Sequence, residues 1–281
     1  MIVSDALRAL VAGDSGRARD VLAEGVPDRP LLAAALAKYL GGDASESVYV
    51  QPAAFEAFIL GGGNVPLYEA VSAALAQQYR SHEPASLVDI GCGNGMAIVP
   101  ALASVPDFTP AVTLVEPSQA LLETAAARLA EFPLRLAPGT ARAFVDGLEG
   151  RFGLAESTFA LHTMPHEERS AVLTALRPHV DRVVIAEFDV HDHGPDERVE
   201  FLADTYERGL AEYESDRDLV AQGFLMPVLA GQLLPGAVRS TWEQPAQAWV
   251  EQFESCGYRD VTAIPLCDYW SSPVFLLTAA A

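Results

Sequence analysis

The chain has 281 residues, 50% of them hydrophobic, with 38 acidic against 18 basic side chains and a formal charge of −20. That is ample for one large core, and a surface so negative repels phosphate backbones, so nucleic acid is not expected as a partner. The three cysteines, Cys92, Cys256 and Cys267, are odd in number and lack ligand-like spacing, which excludes a disulfide framework and fits free thiols in a reducing compartment.

The N-terminus MIVSDALRAL has no basic region followed by a long apolar core, and no apolar run reaches about 18 residues. A cytoplasmic chain with no membrane contact is expected. Ser4 to Val11, Gly16 to Glu24 and Pro30 to Leu40 repeat apolar residues at helical spacing. Phe55, Phe58 and Ile59 share the face of a further helix that Gly61-Gly62-Gly63-Asn64 stops. A helix over Pro66 to Tyr79 follows. Tyr49, Phe58, Asn64 and Tyr68 form either a lid or only a linker.

After Glu83-Pro84 the pattern changes. SLVDIG (86–91), AVTLVEP (111–117), Leu134 to Ala137, FGLAEST (152–158) and DRVVIAEFDV (181–190) read as strands. Helices are expected between them, from Met96 to Ala103, Ser118 to Leu129 with Ser118 as cap, and Glu167 to Leu176. Residues 191–243 interrupt that rhythm with a long helical segment and FLMPVLAGQLL. A helix over Pro245 to Cys256 and strands at 257–266 and 272–279 close the pattern. Seven strands alternating with helices indicate an α/β fold, a mostly parallel sheet with helices on both faces. The expected division is a helical N-terminal region over 1–80 and a core over 81–281, with a helical cap inserted at about 191–243. A homodimer through the N-terminal helices is the oligomer left open.

LVDIGCGNG (87–95) carries the clearest chemistry. Gly91, Gly93 and Gly95 permit close backbone approach at the carboxyl end of a parallel strand, where ligands of such sheets sit. A dinucleotide loop would carry a third glycine at 96, which is Met. Asp89 lies where its carboxylate would oppose a pyrophosphate but meet an amine. The ligand then has an ammonium group as well as a nucleoside, and S-adenosylmethionine has both.

These residues resemble the first motif of the class I S-adenosylmethionine-dependent methyltransferases, and the Ala- and Arg-rich composition looks like that of the family's small-molecule, natural-product branch. The resemblance covers about 84–190 and 244–280 and implies a Rossmann-like fold. VEPS (115–118) is similar to the end of the family's second strand, which implies Glu116 on the ribose hydroxyls, with Pro117 beside it. PGTARAF (138–144) resembles the loop near adenine, which offers Thr140 and Ala141. STFALHTMPHEER (157–169) is similar to the segment facing the methyl group. Ser157 is then a cofactor contact, and Tyr68 another if the lid closes. Cys92 reads as a small filler.

His162 follows the fourth strand and is the candidate base, with Glu187 and Asp189 on one face of the fifth strand as further candidates. His191 and His193 would join that face if the strand continued. The EFDVHDH stretch then reads as metal ligands or, with Gly194-Pro195 ending it, as a polar turn; no metal is expected. Tyr206, Tyr213 and Trp242 are candidate walls for a flat substrate ring, in a chain that also places Phe224, Trp249, Tyr269 and Trp270 nearby in sequence. The resemblance implies a methyltransferase, and the aromatic insertion with the negative charge points to a small aromatic, indole- or phenol-like substrate, with a ring carbon slightly favoured over oxygen or nitrogen. A protein that holds the cofactor without methyl transfer, as a rearrangement catalyst or a regulator, is the alternative. A nicotinamide-dependent oxidoreductase fits less well.

Overall fold

The computed structural model describes residues 1–42, 52–236 and 241–281. Tyr49 lies outside the described residues. Elements follow in chain order as α1 (Ile2–Val11), α2 (Ser15–Ala23), α3 (Pro30–Gly41), α4 (Pro52–Ile59), α5 (Asn64–His82), β1 (Ser86–Ile90), α6 (Ile98–Ala103), β2 (Ala111–Glu116), α7 (Gln119–Arg128) and β3 (Leu134–Pro138). Then come α8 (Ala141–Asp146), β4 (Phe152–Thr158), α9 (His166–Leu176), β5 (Val180–Phe188), α10 (Pro195–Ala211), α11 (Arg217–Val220), α12 (Met226–Leu233), α13 (Ala246–Ser255), β6 (Arg259–Cys267) and β7 (Val274–Ala280).

The chain divides into two compact units. One holds Met1–Val65 and Asp192–Ser240, the other Pro66–His191 and Thr241–Ala281. The expected boundary at 80/81 therefore differs from the observed one. α5 is counted with the sheet because its apolar residues Leu67, Val71, Leu75 and Tyr79 are buried in the same cluster as Leu87 and Leu154 of the strands. The insertion and the N-terminal helices form one unit.

In the helical unit, α1 buries Val3, Ala6, Leu7 and Leu10, one stripe at helical spacing. Arg29, at the start of α3, is nearly buried and reaches α10 through Asp204 Oδ1 (2.8 Å) and Glu200 Oε2 (3.2 Å), as well as its neighbour Asp28. Glu207 of α10 accepts the free N–H groups of Leu31 and Leu32 (3.2 and 2.7 Å), so a residue far along the chain caps α3. Among the described residues no helix is long and apolar enough to cross a membrane.

The sheet unit has the order β3-β2-β1-β4-β5-β7-β6. β1 to β5 run parallel, and β7 runs antiparallel between β5 and β6. Both faces are covered, which is why the central strands read as nearly continuous apolar runs. Leu87, Leu114, Leu154 and Val184 pack with α5, α6 and α7 on one face. Val88, Ile90, Val115, Val183 and Ile185 pack with α8, α9 and α13 on the other. Truncating one of these leucines to alanine would cost about 2–5 kcal/mol. Covered this way, the sheet leaves the carboxyl ends of β1, β2, β4 and β5 side by side at one edge.

Candidate active site

The glycine loop follows β1. The N–H groups of Gly91 and Cys92 both donate to Val115 O (2.8 and 3.2 Å), which fixes the loop to β2. Gly91 has φ +74°, and a Cβ there would lie 2.3 Å from Ala160 Cβ in the segment after β4. No other residue fits. At Gly93, φ is +53°, and a Cβ would meet nothing within 4 Å, so its backbone faces open space. Gly95 completes the turn.

Glu116 ends β2. Its Oε2 accepts Gly93 N–H (3.1 Å) and its Oε1 accepts Ser118 N–H (2.9 Å). The carboxylate is thus oriented before any ligand arrives. Ser118 occupies the cap position of α7, but its side chain makes no capping bond. Pro117 is exposed beside it. Gly139 N–H donates to Glu116 O (3.1 Å), drawing the loop after β3 to the same edge. Thr140 Oγ1 there accepts Ala143 N–H (3.2 Å), capping α8, whose first residue is Ala141. A loop was expected where α8 forms, because six residues leave too little periodicity to read.

Asp89 is buried (4% exposed), and its Oδ1 has no partner among the described residues. Burial, with Glu116 nearby, pushes its carboxyl up to about 7. Burial, with the Asp89 charge adding to it, also raises the Tyr68 hydroxyl. An ammonium group supplies the missing positive charge and hydrogen bonds, Glu116 suits a pair of ribose hydroxyls, and the open Gly93 backbone admits the chain between them. The residues fit S-adenosylmethionine. Ser157 is turned elsewhere: its hydroxyl donates to Ile90 O (2.8 Å) and ties β4 to β1.

A second group sits on the other face, after β4. His162 Nδ1 lies 2.7 Å from Glu187 Oε2, and His162 N–H donates to Glu187 Oε1 (3.1 Å). Glu187 is fully buried. Burial alone would lower the imidazole pKa, but the charge and hydrogen bond of Glu187, with Glu243 beyond, outweigh burial and Arg169, so it is raised. Trp242 N–H donates to His162 O (2.6 Å), so its backbone braces the base. Arg169, fully buried, lies 3.8 Å over the Trp249 ring and donates to Leu161 O (3.4 Å), Trp242 O (3.1 Å) and Gln252 Oε1 (2.8 Å). It holds the chain on both sides of His162.

Other expected residues are engaged elsewhere. Asp189 Oδ1 accepts Ala246 N–H (2.8 Å) and caps α13, since β5 has ended and the next chain segment crosses there. His193 stacks on Phe201 (4.5 Å), and among the described residues no His, Cys, Asp and Glu side chains group as metal ligands. Tyr206 and Tyr213 are buried within the helical unit and form no open wall. Tyr213 Oη donates to Phe58 O (3.0 Å) and accepts from Asn64 (3.0 Å), so Phe58 and Asn64 serve a turn in that unit.

Three residues had no signal in the sequence reading. Phe159 adopts φ +51°, unusual for an aromatic residue, and its N–H donates to Ala186 O (3.0 Å). Its ring begins a strip: Phe159 stacks on Phe188 (4.6 Å), Phe188 on Tyr269 (5.4 Å), and Tyr68 meets Phe159 edge-on (5.9 Å). Phe188 also lies 6.0 Å from the His162 ring. Arg169 and Glu156 are the other two. The positive φ at Phe159 leaves no trace in composition, and both charged residues lie in segments that read as apolar or solvated.

A seven-stranded sheet with β7 reversed, a glycine loop after β1 and an acid ending β2 make up the Rossmann-like fold of the class I S-adenosylmethionine-dependent methyltransferases. Residues 87–182 match the family described as Methyltransferase domain. Similar solved structures include PigF with SAH (17% identity over 75% of this chain and 54% of that one, TM-score 0.51). Others are the magnesium protoporphyrin IX methyltransferase ChlM of Synechocystis PCC 6803 with bound SAH (14%, 83% and 96%, 0.55) and the mitomycin 7-O-methyltransferase MmcR (18%, 98% and 75%, 0.53). The chain thus spans about half the length of PigF. No curated protein sequence matches it.

Proposed function

We propose that the protein transfers a methyl group from S-adenosylmethionine to a small, flat aromatic acceptor, with His162 taking the acceptor's proton. The observation that carries the reading is the His162–Glu187 pair beside the strip of Phe159, Phe188 and Tyr269. With Glu187 accepting at Nδ1, the neutral imidazole carries its proton there, and Nε2 is left as the base. Glu187 then stabilises the imidazolium as it forms, the role a buried carboxylate plays behind a catalytic histidine. The half-buried rings offer a flat apolar surface, and the negative chain favours a neutral or cationic ring over an acid.

When bound, the sulfonium supplies an activated methyl group that needs no metal. The chain's own task is to align the acceptor, exclude water and accept one proton. A base strengthened by Glu187 suits a phenolic oxygen, whose proton must leave for the nucleophile to form. A ring carbon needs less help, so this pairing moves the preference from carbon to oxygen, and MmcR by its name also methylates oxygen.

The test is a panel of phenols and indoles incubated with S-adenosylmethionine and followed by mass spectrometry. A gain of one methyl on a phenol, with matching S-adenosylhomocysteine, is expected. A product formed without S-adenosylhomocysteine would instead indicate a bound cofactor that catalyses a different reaction.

A further inference from the structure

Glu156 of β4 is a buried acid that neither the cofactor contacts nor the His162 pair employs. It lies in the middle of an apolar strand, 1% exposed, and is the register partner of Asp89 across β1 and β4. Leu87 and Leu154 pair two residues earlier, so both acids point to the same face. Glu156 Oε2 accepts Tyr79 Oη at 2.6 Å, and Tyr79 is itself fully buried. Glu156 Oε1 and Asp89 Oδ1 each lack a partner among the described residues.

We propose that Asp89 and Glu156 share one proton, carried by Glu156 and directed toward Asp89, so that the pair presents a single negative charge to the cofactor's ammonium group. Glu156 is then a positioning residue for Asp89, and the inference rests on the cofactor reading above. Adjacent parallel strands are about 4.8 Å apart, so two ionised carboxylates in this register would face each other in a dry layer. No cation is among the groups that shift either acid.

The surrounding titratable groups are Tyr68 and Tyr79 from α5, Cys92 from the glycine loop and Glu116 from β2, while the neighbour of Glu156 on β5 is Val184. All of them are neutral or negative. One retained proton satisfies both lone oxygens at once. It also leaves one full charge for one ammonium, where two charges would bind the ligand at the expense of an unstable empty site. Burial first, then the Asp89 charge, drive Glu156 well above the usual carboxylate range, against the weaker pull of the Tyr79 bond.

Infrared spectroscopy of the cofactor-free protein tests this without depending on ligand. At about pH 8, where ordinary carboxyls are ionised, the carbonyl stretch of a buried neutral acid is expected. It should vanish in Glu156→Gln and persist in Asp89→Asn. In Tyr79→Phe it should persist at a shifted frequency, because one hydrogen bond is gone. A spectrum with no neutral-acid band, or a band that survives Glu156→Gln, overturns the proposal. Calorimetric titration with S-adenosylmethionine adds a second reading: Glu156→Leu should weaken binding by about tenfold or more, as loss of a hydrogen bond to a charged group does, and Glu156→Gln should recover most of that. Equal losses in both variants would overturn it. If wild type bound no S-adenosylmethionine while the infrared band followed Glu156, the cofactor reading would fail and the shared proton would stand.

Discussion

Asp89 and Glu187 are both acids buried at the carboxyl edge of one sheet, on opposite faces, and they are treated in opposite ways. Both oxygens of Glu187 are used by His162. Asp89 has a bare oxygen and no cation among the groups acting on it. A buried carboxylate with an internal partner is a finished part, able to orient a base and stabilise its charge. A buried carboxylate with no balancing positive charge is costly in the empty protein and gains that charge from outside. The contrast separates the group that acts from the group that binds.

The largest effect should come from the finished pair. His162→Ala should lower turnover by about 10²–10⁴-fold and leave cofactor affinity nearly unchanged. Glu187→Gln sharpens the point because it keeps an acceptor but removes the charge. The His162 pKa, now raised mainly against burial by Glu187, should fall. Neutral imidazole is the active form, so the acid limb of the rate profile should move to lower pH while the plateau drops. An unmoved limb in Glu187→Gln would sever His162 from catalysis.

The open acid should show the reverse pattern. Asp89→Ala and Glu116→Ala should each weaken S-adenosylmethionine binding by about 10- to 150-fold, the loss of one charged hydrogen bond of about 1.5–3 kcal/mol. In thermal melts of the cofactor-free protein the two faces should diverge. Asp89→Ala removes a buried acid that no cation balances and should be neutral or stabilising near neutral pH. Glu187→Ala strips the acceptor from two N–H groups and should cost about 1–3 kcal/mol. Matching losses from both substitutions would erase the distinction drawn between them.

How much of this was legible in the sequence follows from range. The strands and the glycine loop were, because their signals are local: apolar runs, three glycines, Asp89 two positions earlier. β4 was read at its observed bounds, Phe152–Thr158. The pairing of His162 with Glu187 was not legible, since it depends on the β4–β5 register across 25 residues. Glu156 was passed over because an acid inside an apolar strand acquires meaning only when β1 sets Asp89 beside it. Tyr213 was read as a substrate wall from its aromaticity, and only the fold shows it occupied by Phe58 and Asn64. Long-range caps such as Glu207 on α3 are invisible for the same reason, and they bind the insertion to the N-terminal helices as one unit.

The smallest effect is the one that ties binding to pH. Asp89 is raised from an ordinary 3.8 to about 7, first by burial and then by Glu116. The cofactor's ammonium group selects the ionised form. Affinity should therefore climb as pH rises through about 7 and level off above, with about a tenfold gain between pH 6 and 8. Stability of the cofactor-free protein should run the other way. For a carboxyl with a raised folded pKa, the contribution is fully present below the unfolded value and is lost as pH rises through the folded one, so Asp89 destabilises the empty protein progressively between about pH 4 and 7. Binding should release protons in that window, seen as a calorimetric heat that changes with the ionisation enthalpy of the buffer. Asp89→Asn should abolish both the buffer dependence and the slope in affinity. A wild-type affinity flat from pH 6 to 8, with no proton released, would mean that Asp89 is already ionised across that range in the empty site and that burial does not raise its carboxyl to about 7.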